Sequence, residues 1–109
     1  MPNEIKKPKT YDDVVVNEVL TLNAKIETNK PLECGTVLFS INGGESFAAV
    51  TQDNQTATIA NAAAVFGVLT DGIDSTKEAG VLVLGEVMLD GAASELKVAL
   101  FKQKIIVRG

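Results

Sequence analysis

The chain has 109 residues, 46% of them hydrophobic, with a net charge of −4 and a pI near 4.7. A chain of this length forms one domain with a small core, because it buries only about two-thirds of its unfolded surface. Acids outnumber bases 14 to 10 and aromatics make up 5%, so the chain lacks the materials for phosphate neutralisation and for stacking on bases or sugars.

Residues 1–13, MPNEIKKPKTYDD, are polar and charged and contain two prolines. They bury too little apolar area to offset their ordering entropy, and they read as a flexible arm ahead of a single domain at 14–109. Lys6, Lys7 and Lys9 form a small basic cluster within that arm, and Val14-Val15-Val16 behind it is β-competent. From Leu20 the pattern alternates strictly: Leu20, Leu22, Ala24 and Ile26 against Thr21, Asn23, Lys25 and Glu27. Period two predicts a half-buried strand, broken at Asn29-Lys30-Pro31.

Thr36–Ile41 is the next predicted strand, ended by the hairpin dipeptide Asn42-Gly43, with Phe47–Thr51 returning. Asp53–Gln55 reads as a turn and Thr56–Ile59 as a short strand. Asn61–Ala64 is open between a helical turn and a loop. Two apolar runs follow, Val65–Leu69 and Val81–Leu84, joined by an acidic connector containing Asp71-Gly72 and Asp74-Ser75, and then Glu86–Leu89. Asp90–Glu95 feeds a helix that Asp90 or Ser94 caps. Leu96 and Leu100 share one face of it, Lys97, Lys102 and Lys104 stay solvated, and the helix ends near Gln103. Ile105–Arg108 closes as a strand. The pattern predicts a mainly β domain with one short C-terminal helix.

Reactive groups are sparse. Histidine is absent and Cys34 is the single cysteine, which removes the usual bases, metal ligands, nucleophilic pairs and any intramolecular disulfide. Asp71 and Asp74 lack the oxygen ladder of a calcium loop and read as turn residues. Gly43-Gly44 lacks the spacing and the Lys-Ser/Thr of a phosphate loop. Glu86 follows Gly85 in an apolar strand, where it points outward or pairs with a nearby Lys or Arg. We therefore expect no enzyme, no cofactor and no metal. No apolar run reaches the roughly 18–20 residues of a bilayer span, and no signal-type stretch opens the chain.

Gly67-Val68-Leu69, Asp71, Ile73-Asp74, Gly80 and Val83-Leu84-Gly85-Glu86-Val87 resemble the core pattern of bacteriophage head decoration proteins, the lambda-type capsid-stabilising family. Cys34-Gly35-Thr36-Val37-Leu38, with Asn42-Gly43-Gly44 and Phe47 after it, is similar to an upstream strand and turn of that family. Ile105-Ile106-Val107-Arg108 is similar to its closing strand. The pieces keep the family's order over residues 18–109. At Leu84 the chain departs from the basic residue that many members carry.

The resemblance implies a β-clip-like fold of bent hairpins and a non-enzymatic virion component. It implies a homotrimer that binds the major capsid protein on the outer surface of the assembled head, after synthesis in the host cytoplasm, with no nucleic-acid or membrane partner. The arm, with Lys6, Lys7, Tyr11, Val14, Val15 and Val16, is then expected to order on the capsid by pairing with a shell strand. Gly35, Gly67, Asp74, Gly85 and Glu86 take structural or assembly roles, Glu86 through a structural or intersubunit ion pair. The alternative is a small β module that binds a ligand or carbohydrate. It requires a concave pocket with convergent polar groups, for which the sequence offers no candidate.

Overall fold

The protein was analysed as a computed structural model, which describes residues 10–89 and 91–109. Lys6, Lys7, Lys9 and the cap candidate Asp90 lie outside the described residues. The strands are β1 (Val15–Ile26), β2 (Val37–Ser40), β3 (Ser46–Ala49), β4 (Val65–Leu69), β5 (Lys77–Met88) and β6 (Ile105–Arg108). The helices are α1 (Tyr11–Val14), α2 (Gln55–Ala60) and α3 (Ser94–Lys102). The domain is mainly β, with α3 the C-terminal helix that the Leu96/Leu100 spacing predicts.

The two long strands organise the rest. β1 pairs antiparallel with β5 from Val15↔Val87 to Ile26↔Lys77. At its far end β1 meets β3 in parallel through Lys25 and Ile26. β3 pairs with β2, β2 with β4 and β4 with β5, each antiparallel, so the strand order closes on itself. β6 runs parallel to the last residues of β5, from Gly85↔Ile105 to Met88↔Arg108.

Closure creates two cores. Ile26, Leu32, Leu38, Phe47, Leu69, Ile73 and Val81 fill the ring. Val68, Leu82, Val87, Leu96, Leu100 and Ile105 pack under α3. Val81 and Leu82 are both fully buried, one in each cluster, although adjacent strand residues point to opposite faces. The run Val81–Leu84 lacks alternation for that reason.

A side chain completes one sheet edge. Phe66 pairs with Phe39 of β2 on one side. On the other its N–H donates to Gln103 Oε1 at 2.6 Å, and Gln103 Nε2 donates back to the Phe66 carbonyl. Gln103 therefore stands in for a missing strand and ties the end of α3 to β4. Removing it leaves two part-buried backbone groups without partners, so Gln103→Ala is expected to cost about 2 kcal/mol in urea unfolding.

Several elements differ from expectation. Residues 56–59 are helical, in α2, and not a strand. Thr51 N–H donates to Asn54 Oδ1 at 2.8 Å, Gln55 N–H to the Thr51 carbonyl at 2.9 Å, and Thr58 Oγ1 to the Asn54 carbonyl at 2.8 Å. These local bonds nucleate a turn where no strand among the described residues is placed to pair. Ala93, not Ser94, occupies the N-cap position of α3, and Ser94 is its first helical residue. β1 begins five residues before Leu20, and β5 begins four before Val81.

The boundary at residue 13 also moves. Thr10–Asp13 forms a capped turn, with Thr10 N–H donating to Asp13 Oδ2 at 3.0 Å and Asp13 N–H to the Thr10 carbonyl at 3.1 Å. It leads directly into Val14, which is fully buried.

Candidate functional site

The sequence-predicted site residues fall into two groups. In the arm, Tyr11 is half exposed, and its hydroxyl donates to Glu18 Oε1, bracing α1 against β1. Val14 belongs to the core, against Gly35 and Leu89, and Val15 is paired with Val87. Val14 is thus held by its side chain in this chain's own core, and Val15 by one backbone edge in its own sheet. Val16 is exposed.

The second group is architectural. At Gly35 an added Cβ would sit 3.0 Å from Val14 Cγ2. At Gly67 it would sit 2.3 Å from Val81 Cγ1, which is why β4 can approach β5 so closely. Gly85 has φ +146, and its missing Cβ would lie 2.3 Å from the Asn17 carbonyl oxygen. Asp74 is an exposed turn residue, 3.5 Å from Lys77 Nζ, and that ammonium holds its carboxyl below the usual range. Glu86 is paired within the chain, to the Arg108 guanidinium at Nε. No cluster of three His, Cys, Asp or Glu is placed to hold a metal ion among the described residues.

The Tyr11–Glu18 bond moves both partners apart in acidity. Its hydrogen bond raises the Tyr11 phenol and lowers the Glu18 carboxyl. A lowered carboxyl contributes stability that is present above its unfolded pKa and lost as pH falls through the folded value. A raised phenol contributes stability that is lost as pH rises through its folded value, in the alkaline range. Tyr11→Phe should therefore move the Glu18 carboxyl carbon titration to higher pH by NMR, and an unmoved curve would show that the bond does not form in solution.

The feature that sequence reading left out of the site is a sheet face. Gly85 and Val87 of β5 and Ile105 of β6 are buried toward α3. By alternation, Leu84, Glu86, Met88, Ile106 and Arg108 point the other way. Register rows align Leu20 with Leu84, and Asn17 and Ile106 with Glu86. On this side Leu20 and Ile106 are each 44% exposed, and Met88 is exposed beside them.

At its centre is a shallow groove of about 250 Å³, with Gly85 at its floor and Val19, Leu84 and Ile106 on its walls. Val19 falls in a register shift of β1, between Glu18 and Leu20, and is 64% exposed. Alongside, from Val16 to Ala24, the β1 edge away from β5 takes no strand among the described residues. The available signal was Ile105-Ile106-Val107, three aliphatics in a closing strand where a sheet with one wet face alternates with polar residues.

A larger apolar hollow, of about 370 Å³, lies by α3, between Ile59, Phe66, Val98 and Ala99, with Phe101 exposed nearby. No helix among the described residues is long and apolar enough to cross a membrane. No family model matches the chain, and none of the curated proteins does.

Proposed function

We propose that the chain is a non-enzymatic decoration protein of a phage head, which binds the outer surface of the assembled shell as a trimer and stabilises it. The observation that carries this reading is the pairing of an exposed aliphatic sheet face with an open β1 edge. Together they offer extended apolar area and a row of backbone donors and acceptors, the chemistry by which one protein adds to another's sheet. The resemblance adds the kind of partner, with its motifs falling on β2, β4, β5 and β6. A β-clip-like arrangement belongs to the same proposal.

The mechanism is linkage. A protein that binds the assembled shell and not its separated subunits stabilises the shell by mass action. Contact runs along the open edge of β1, which α1 leads into. The groove at Gly85 is shallow, its walls are mainly Val19, Leu84 and Ile106, and its one carboxylate, Glu86, is already ion-paired to Arg108, which disfavours the rival ligand- or carbohydrate-binding reading. Co-sedimentation with undecorated heads tests the proposal: the protein should pellet saturably with them. Protein that stays in the supernatant at saturating concentration would sink it.

A further inference from the structure

We infer that the groove floored by Gly85 docks an extended segment of the shell protein that carries an aliphatic side chain beside a carboxylate. The inference rests on the decoration reading for the shell as partner, and it adds the chemistry by which that partner is chosen. A sheet covered on one side by a helix normally turns polar residues to water on the other. Here α3 covers Val87 and Ile105, yet the groove on the opposite side is walled by Val19, Leu84 and Ile106. Val19 belongs to the stretch of β1 whose outer edge takes no strand among the described residues, so a shell segment pairing there runs past the groove.

Charge selects the occupant. Glu86 is the one carboxylate in the groove, and Arg108 of the same chain already pairs with it. Lys104 also lines the groove, is exposed, and makes no ion pair among the described residues. On a chain of net charge −4, a cation left unmatched beside apolar walls is a local exception that draws in an acidic group and repels a basic one. The ion pair itself adds little affinity, because solvent screens it. Burial of the aliphatic side chain supplies the affinity, and the charge decides which segment fits and in which direction.

The backbone holds that lysine in place. Lys104 has φ +74 and follows Gln103, the C-cap of α3. Every other positive-φ position among the described residues is a glycine, and glycine is the preferred residue just past a helix C-cap. The Lys104 carbonyl accepts from the Gly85 N–H at 3.3 Å, which fixes the residue beside the groove floor. Backbone conformation favours glycine at 104; what lysine adds is the charge at the groove.

The test is a set of binding isotherms on undecorated heads, by co-sedimentation at low and high salt, for the full chain and for Lys104→Gly, Ile106→Thr and Lys30→Gln. Lys104→Gly relieves the positive φ, so it should melt no lower than the wild type. It should nevertheless bind heads about 5-fold more weakly, the upper end for an exposed ion pair, and with a smaller salt dependence. Ile106→Thr keeps a β-branched residue in β6 and should weaken binding by about 10-fold through lost apolar contact. Lys30 is an exposed lysine in the loop after β1, and Lys30→Gln should bind as the wild type does.

Folded Lys104→Gly or Ile106→Thr chains that bind heads as tightly as the wild type, or an equal loss in Lys30→Gln, would overturn the inference and leave the decoration reading standing. Sedimentation velocity is run in parallel. Variants that lose self-association along with head binding would assign the groove to contact between copies, which also overturns it. A wild type that ignores heads would sink the decoration reading, and the shell as occupant with it.

Discussion

Gly85→Ala should be among the most damaging single substitutions in the chain, lowering stability by about 3–4 kcal/mol in urea unfolding. Two independent penalties coincide there. Its φ of +146 is a backbone conformation that residues with a Cβ rarely adopt. The added Cβ would also lie 2.3 Å from the Asn17 carbonyl oxygen and 3.3 Å from the Val19 amide nitrogen. Both are backbone atoms of β1 at its register shifts, so relief requires opening the β1–β5 ladder itself.

Gly67→Ala provides the contrast. Its closest obstacle, at 2.3 Å, is the Val81 Cγ1 methyl, a side chain that can turn, although the Leu82 carbonyl at 3.1 Å limits the gain. About 1–3 kcal/mol is expected there, the usual range for overpacking. A Gly85→Ala chain as stable as the wild type would show that β1 and β5 do not cross at this separation.

Deleting residues 1–16 should abolish head binding and also lower stability, by about 2–3 kcal/mol, because it empties a core site. Val14 is fully buried between Gly35 and Leu89, and Val15 pairs with Val87. Deleting only residues 1–9 spares α1, Val14 and the Tyr11–Glu18 bond. That chain should unfold within about 0.5 kcal/mol of full length, as expected when no core contact is touched, and, keeping the open β1 edge, it should still bind heads but more weakly than full length. If the 1–9 deletion binds heads as tightly as the full chain, residues 1–9 add nothing to the attachment. If the 1–16 deletion unfolds no earlier than full length, Val14 is not a core residue.

Much of the fold is legible from local signals. Asn42-Gly43 marks the β2–β3 hairpin, Leu96 and Leu100 mark the buried face of α3, and Ile105–Arg108 marks β6. What is not legible depends on long-range partners. Leu20 and Leu22 share the period of Ala24 and Ile26, but only the latter two reach the closed ring, so the same alternation is buried at one end and wet at the other. Val14 reads as the start of a β-competent stretch free for a partner because its own neighbour Gly35 lies far along the chain. The bonds of Gln103 to Phe66 span 37 residues and have no sequence signature. Gly85 and Glu86 are visible as a motif, but the groove beside them exists only because β6 returns parallel to β5.

The rupture temperature of undecorated phage heads, followed by dye binding to the DNA they release, tests the central claim most directly. A ligand present at 100 times its Kd for the assembled shell adds about 2.7 kcal/mol per site, so heads saturated with the protein should rupture several degrees higher. Heads that bind the protein but rupture at the same temperature with and without it would contradict the account.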